Sequence, residues 1–406
     1  MTLKSKGRKR SDLKSKAASF SMFTTIGNVP VDDWMLATNS KVLFTSIDYL
    51  AALEKSKPSG LLCRYVIVYE QEVPVATLLF QLLNVGDKDL GGVLNLQDKG
   101  WLLQNLNGTI NRMLFSCKHD LPNYLVCCGN LLISGEYGIT VSAKPKLPIV
   151  MQKFSQIIEA VKKSVEPCSF CAWMVKDFFD TTLIDQALED EGYVLLPMDP
   201  EMIFYVRDNW LKFSDYVDAM SAKYRLKCNQ ALKKMEEVSI SNLTIAQLEK
   251  FSSEMMKLYH NVQQRSTVQL LRVNKNYFIE LKKTMPDSFY VKGFFLGSKL
   301  IAFTSGFVFD EHHEAHFIGI DYTYNKSHQL YQNILYSFIK EAILKKSKYI
   351  YFGRTAMEMK TTVGARAYPL ATYFKLENGF LNKMFKPVIR RATVQPWIPR
   401  NPFKEV

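Results

Sequence analysis

The 406-residue sequence predicts a mixed α/β protein of two lobes, each a mixed sheet with a helix packed on it, joined by a long helix. Three observations predict this class. The C-terminal part reads hairpin, strand, helix, strand, loop, strand. The N-terminal part repeats that order more loosely, and a helical stretch without Gly or Pro lies between them. Length and composition agree, since 406 residues exceed one ordinary core while 47% apolar and 13% aromatic residues suffice for two.

In the C-terminal part, residues 289–296 are strand-like, and Gly297-Ser298 supplies a two-residue turn into 299–309, which is rich in Phe, Ile and Val. Asp310-Glu-His-His313 turns again into 314–320, and a polar loop at 321–328 leads to a helical pattern over 329–346. There Leu330, Ile334, Leu335, Phe338, Ala342 and Ile343 make one apolar stripe, with Gln332, Ser337, Lys340 and Glu341 away from it. Short strands at 348–352 and 368–376 follow. A helix between two strands is a crossover, so its flanking strands are expected as parallel neighbours or nearly so.

In the N-terminal half, 64–70 and 74–85 flank a turn at Gln71-Glu72-Val73, and 124–134 is a strand. Residues 148–163 are helical by their Ile, Val and Phe spacing, 169–175 is a strand, and 193–206 suits a hairpin through Pro197-Met-Asp-Pro200. Residues 86–123 read as helix and insertion. The joining helix spans 215–237 with Ser214 as N-cap, and it carries Lys223, Arg225, Lys227, Lys233 and Lys234. The expected plan is a basic tail at 1–20, a lobe at 21–210, the linking helix at 211–240, a second lobe at 241–380 and a basic tail at 381–406.

The net charge of +13 is terminal: residues 1–16 carry +6 and 378–406 carry +5, which leaves +2 on the body. Such ends either attract RNA, anionic lipid or a polyanion, or are simply solvated and mobile. The most apolar stretch, 61–85, is interrupted by Arg64, Glu70 and Glu72, and no apolar core follows the basic N-terminus, so a cytoplasmic chain without a membrane span is expected. Seven cysteines with a single CxxC, Cys168-Ser-Phe-Cys171, suit buried thiols in a reducing compartment and no metal.

Several strings now point to a family. Trp210-Leu-Lys-Phe-Ser-Asp-Tyr216, followed by Ser221-Ala-Lys-Tyr-Arg225, is similar to the linker helix of tandem GNAT proteins of the CelD-like and FemAB-like branch. Gly319-Ile-Asp321 before the helix, then Phe352-Gly353-Arg354 and Lys360, look like that branch's glycine-plus-lysine ending. Thr355-Ala-Met-Glu-Met-Lys-Thr-Thr-Val-Gly-Ala365 fits acetyltransferase-like proteins of bacteria. The resemblance covers about 60–406 in architecture and 205–376 in motifs. It implies two GNAT-like lobes and an N-acyltransferase that moves an acyl group, acetyl from acyl-CoA, to the amine of a small-molecule or cell-envelope acceptor, with the chemistry in the C-terminal lobe. Family members place a turn of the type Gln/Arg-x-x-Gly-x-Gly/Ala before the central helix, where backbone amides wrap a pyrophosphate. Here that stretch, Tyr322-Thr-Tyr-Asn-Lys-Ser-His-Gln-Leu330, contains no glycine. Lys326 and Ser327 are its candidate phosphate contacts. The donor is open between acyl-CoA and an aminoacyl-tRNA, as Fem-type transferases use.

Acyl transfer to an amine requires a base for the ammonium, a polariser for the carbonyl and a proton for the leaving group. His316 and Asp321, near the strand end before the central helix, are candidate catalytic residues; the alternatives are a hydrogen-bonded histidine and a loop cap. Glu314 shares a face with His316 by the two-residue period. Tyr331 in the first helical turn either protonates a leaving thiolate or packs in the core. Arg354, Glu358 and Lys360 form a second cluster, with Arg354 and Lys360 suited to an acceptor carboxylate or phosphate, and ordinary ion pairing as the alternative. Arg225 on the linking helix meets an anionic substrate or RNA, or else solvent. A binding module that has lost catalysis is the rival outside the transferases.

Overall fold

The computed structural model describes residues 18–38, 42–86, 121–265, 271–391 and 396–404. The expected basic tail up to residue 17 and nearly all of the insertion at 86–123 lie outside the described residues.

Two mixed sheets dominate. The N-terminal sheet runs β1 (Ser19–Phe23), β2 (Leu61–Glu70), β3 (Val73–Asn84), β4 (Asn123–Cys128), β6 (Ser169–Phe178), β15 (Ala371–Leu376), β7 (Val194–Leu196), with β5 (Ile139–Val141) against β3. The C-terminal sheet runs β9 (Val238–Asn242), β10 (Phe289–Leu296), β11 (Lys299–Phe309), β12 (His312–Ile320), β13 (Tyr349–Tyr351), β8 (Glu201–Tyr205), β14 (Arg366–Tyr368). Each sheet has antiparallel hairpins leading to one parallel pair, β4–β6 or β12–β13, whose crossover helix is Leu147–Lys163 or Leu330–Leu344.

The lobes exchange strands. β8 precedes the C-terminal sheet in the chain yet pairs there with β13 and β14, while β15 returns to the N-terminal sheet between β6 and β7. This overturns the expected hairpin over 193–206, since β7 and β8 belong to different sheets. It also divides the expected strand at 368–376 into β14 and β15 around Pro369, which has no N–H for a ladder.

The segment joining the lobes is helical, but as two helices rather than one, Phe213–Asp218 and Ala222–Lys233. The chain bends between them to bury Tyr216 and Met220, and the Ser221 N–H donates to the Pro402 carbonyl at 2.9 Å. The N-cap is Lys212, not Ser214; Asp215 accepts from the backbone N–H groups of Leu211 and Lys212 at 2.8 and 3.0 Å. The polar stretch 321–328 is mostly helix as well, Tyr322–His328, capped by Asp321 and parted from the next helix by Gln329 at φ 46°.

The predicted stripe on the helix Leu330–Leu344 is buried at all six positions. Glu341, expected away from it, is also buried, because its carboxylate pairs with Lys292 at 2.7 Å. One apolar core continues across the lobes, with Phe44 and Tyr49 of the first packing on Phe307 of the second at centroid distances of 5.1 and 6.1 Å. The described part of 381–406 is docked rather than a free tail. Phe385 and Ile389 are buried, and the Phe403 ring lies 5.6 Å from that of Trp210.

Candidate active site where the C-terminal sheet splays

The site begins with a strand that stops pairing. β12 is nine residues long, but only His312, His313 and Glu314 pair with β13. Just beyond them, His316 and Phe317 together face the single residue Ser305 of β11, so β12 carries a bulge there. The Ser305 hydroxyl replaces the lost ladder contact, accepting from the Phe317 N–H at 3.0 Å. The bulge brings two consecutive side chains together, and the His316 and Phe317 rings lie 4.0 Å apart. The Phe317 and Asp321 N–H groups point toward β11. By alternation, the N–H and C=O of Ile318 and Ile320 point to the edge that β13 has left. Asn261 takes the Ile320 carbonyl at 3.0 Å.

A cavity of about 680 Å³ opens at this splay, between the lobes. Its walls are β12 residues 314–318, the face of the crossover helix with Tyr331 and Phe338, the loop 353–356, Lys360, and N-lobe residues 131–134 and 197–199. Such a concave, mostly apolar site with a few convergent polar groups is where small molecules bind.

Five charged side chains line it: Asp199, Arg265, Glu314, Arg354 and Lys360. Glu314 is buried and has no hydrogen-bond partner among the described residues, so burial pushes its carboxyl well above the usual range, with the Glu201 charge adding to the rise. Lys360 is 4% exposed and donates to the Gly353 and Arg354 carbonyls at 2.9 and 2.6 Å. Burial lowers its ammonium to about 8, against the opposing pull of Glu201, Glu314 and Asp199. Arg354 is anchored by an Nη2 ion pair to Asp177 of the other lobe. Asp177 is fully buried at a second bulge, in β6 at φ 66°, and also accepts from Thr372 Oγ1 at 3.0 Å, Gly135 N at 3.1 Å and the neighbouring Lys176. The Arg354 Nε and Nη1 groups are buried without partners among the described residues. Thr355 and Ala356, which follow, both adopt left-handed conformations at φ 68° and 47°, a strained pair of the kind found at functional sites.

A second depression, about 540 Å³, adjoins the first through Tyr331. It lies at the N-terminal end of the crossover helix, where Lys227, Lys326, Gln329, Gln332 and Thr362 line it. The helix dipole and its first free amides favour an anion there. The Tyr331 N–H is already held by Asn325 Oδ1 at 3.0 Å.

Of the residues singled out from sequence, His316, Tyr331, Arg354 and Lys360 meet in the main cavity, and Lys326 lines the second depression. His316 lies between the Tyr277 hydroxyl at 3.1 Å and the Ser305 hydroxyl at 3.2 Å, and burial lowers it to about 3, so it stays neutral. Burial raises the Tyr331 phenol. Asp321 lines neither space; it caps the next helix through Thr323 N–H at 3.1 Å and pairs with Lys299 at 3.1 Å. Glu358 pairs with Arg400 at the surface, Ser327 donates to the Tyr324 carbonyl at 3.1 Å, and Arg225 lines neither space. Sequence reasoning placed Glu314 on the face of His316 without a role and passed over Asp177, Asp199 and Glu201. The available signal was an acidic residue set inside an apolar strand, as in Met174-Val-Lys-Asp-Phe178. Among the described residues no group of three or more His, Cys, Asp or Glu is placed to hold a metal, and no helix is long and apolar enough to cross a membrane.

No protein-family model and no curated protein matches this chain. Solved structures do. FemX is 10% identical, with 90% of this chain and 100% of FemX covered at a TM-score of 0.51. A tandem GNAT protein from the clavulanic acid biosynthesis pathway is 9% identical, with 88% and 98% covered at 0.52. At such identities the likeness is one of fold, and the chain has the tandem-GNAT fold.

Proposed function

We propose that this chain is an N-acyltransferase that moves an acyl group, acetyl from acyl-CoA, directly to the amine of a small-molecule or cell-envelope acceptor, with the chemistry in the C-terminal lobe. The observation that carries this reading is the bulged, half-paired β12, whose open edge borders an interlobe cavity containing a buried carboxyl. The donor's chain lies along that open edge, with its thioester carbonyl accepting from the Ile318 N–H. Its phosphates sit at the helix N-terminus beside Lys227 and Lys326. Glu314, rather than Asp321 or His316, takes the proton of the acceptor ammonium; its raised affinity for protons suits it to that work. The amine nitrogen then attacks the carbonyl carbon, the C–N bond forms, the C–S bond breaks, the thiolate leaves with a proton from Tyr331, and the proton that the new amide nitrogen sheds restores the phenol. Burial keeps that phenol protonated until then.

The test is a thermal-shift titration with acetyl-CoA followed by a thiol-release assay. A rise of several degrees at saturation, smaller in Lys326→Ala, is expected. No rise with millimolar acetyl-CoA would remove the donor assignment. One observation favours a second reading: exposed Lys223, Lys227 and Lys233 on the helix Ala222–Lys233 and Lys234 at its C-cap, with Lys227 lining the second depression, suit an aminoacyl-tRNA donor as in Fem-type enzymes. That reading requires tRNA binding to fall steeply with salt. Stabilisation by neither donor would leave a binding module.

A further inference from the structure

We infer that the acceptor is a zwitterionic amino carboxylate and that Arg354 reads its carboxylate. This rests on the proposed acyl transfer and names the substrate class of the same cavity. The Arg354 side chain is nine-tenths buried and lines the cavity, yet only Nη2 is engaged, by Asp177. Nε and Nη1, which together carry three N–H donors, are buried without partners among the described residues. Leaving guanidinium N–H groups desolvated and unpaired is costly, which favours a ligand that shifts the side chains covering them on entry and supplies an acceptor pair. Asp177 fixes the fork from the other lobe, and its own remaining oxygen is taken by Lys176 and Gly135. The guanidinium is thus pre-oriented, which lowers the entropic cost of capturing a planar anion.

The groups around Arg354 select the kind of anion. Glu314 and Asp199 line the same cavity, and Glu201 lies beside Glu314 and Lys360. A dianionic phosphate would face Glu314 and Asp199, while the other two cations of the lining are engaged, Lys360 by two carbonyls and Arg265 over the Tyr322 ring at 3.6 Å. A zwitterion meets a partner at both ends, its carboxylate at the Arg354 guanidinium and its amino group at Glu314, the group that takes the proton. The apolar side chains of Leu131, Leu132, Ile133 and Met198 border the remaining space and suit an aliphatic or aromatic body between the two charges.

The test measures binding, so it does not depend on turnover. Full-length wild type, Arg354→Met and Arg354→Lys are titrated with matched pairs that differ only in the carboxylate: L-alanine and L-alaninamide, L-lysine and L-lysinamide, 6-aminohexanoate and 6-aminohexanamide. At least one acid should bind wild type roughly tenfold or more tighter than its amide, and both variants should erase that preference. Arg354→Lys keeps a cation for Asp177 while removing the fork, so it stands in if Arg354→Met does not fold. Equal binding of acids and amides, a preference that survives in Arg354→Lys, tighter binding of inorganic phosphate, or no binding of any acid at about 20 mM would each overturn the inference. Acetyl-CoA is titrated separately into wild type. An acid preference without acetyl-CoA binding removes the donor assignment alone, and acetyl-CoA binding without an acid preference removes this inference alone.

Discussion

The two lobes share one strand plan and part company around the parallel pair and its crossover helix. In the N-terminal lobe, β4 pairs with β6 along its whole length, from Asn123 with Ser169 to Cys128 with Val175. In the C-terminal lobe, the equivalent strand β12 leaves β13 after Glu314 and runs six residues further. The crossover helices differ in the same sense. At the N-terminal end of Leu147–Lys163, Pro148 removes one N–H, and Lys144 and Lys146 are paired with Asp180 and Glu70. At the N-terminal end of Leu330–Leu344, Lys326 and Lys227 have no carboxylate within ion-pair reach among the described residues. A sheet of this kind is stable whether or not its parallel pair closes. The C-terminal sheet has the opening, and the N-terminal lobe forms a wall that contributes residues 131–134 and 197–199 to its cavity.

The sharpest way to break this comparison is to change the equivalent strand positions in turn. Glu314→Gln should lower kcat by about a hundredfold to ten-thousandfold without loss of fold, as for removal of a general base. Cys128→Ala, at the last paired residue of β4, should leave kcat within about threefold and cost about 1 kcal/mol from the small cavity. Thiol release and thermal unfolding read both. In wild type, kcat/KM should rise with pH through a limb displaced above the ordinary carboxyl range, because the base acts only when deprotonated and burial raises its affinity for protons. A limb at the ordinary glutamate position would assign the base elsewhere.

The lobes are clamped by buried charge, so the next test separates fold from chemistry. Asp177→Ala leaves the Lys176 and Arg354 cations without their partner and should destabilise the chain by about 3–5 kcal/mol in denaturant titration. Arg400→Ala, which removes the exposed pair with Glu358, should cost about 1 kcal/mol or less.

Acid should separate the lobes too. His313 and His316 both lie on β12, and burial lowers both to about 3. Between the ordinary histidine value near 6.5 and about 3, the unfolded chain binds protons that the folded chain refuses, so stability is lost as pH falls through that window. No described residue before β8 is a histidine. Hydrogen exchange at about pH 4.5 should therefore loosen β10–β13 before β2–β4, and His313→Phe should reduce the difference. The smallest effect belongs to the second depression. Lys326→Ala and Lys227→Ala should each raise the donor KM about threefold to tenfold with kcat nearly unchanged, since an exposed lysine contributes a screened charge.

The periodic parts of this architecture were legible because local pattern reports burial. The stripe Leu330, Ile334, Leu335, Phe338, Ala342, Ile343 and the Gly297-Ser298 turn, with Gly297 at φ 58°, are such cases. The strand exchange was not legible, because β8 and β15 have ordinary strand sequences and their partners are set by tertiary packing. The site was legible in part. Arg354 stands out after Gly353 at a strand end, whereas Glu314 gains its meaning from a bulge that no residue type announces. For Asp321 the sequence allowed a catalytic role or a loop cap, since an aspartate before a helix is a good N-cap, and its side chain caps the helix Tyr322–His328.

The central claim is that donor binds at the splay of the C-terminal sheet and at no equivalent place in the N-terminal one. Hydrogen–deuterium exchange with and without saturating acetyl-CoA tests it most directly. Protection confined to residues 315–320 and 325–332, with none at 123–128 or 147–152, is the predicted result. Protection along the N-terminal crossover helix, or binding that leaves 315–320 unchanged, would contradict it.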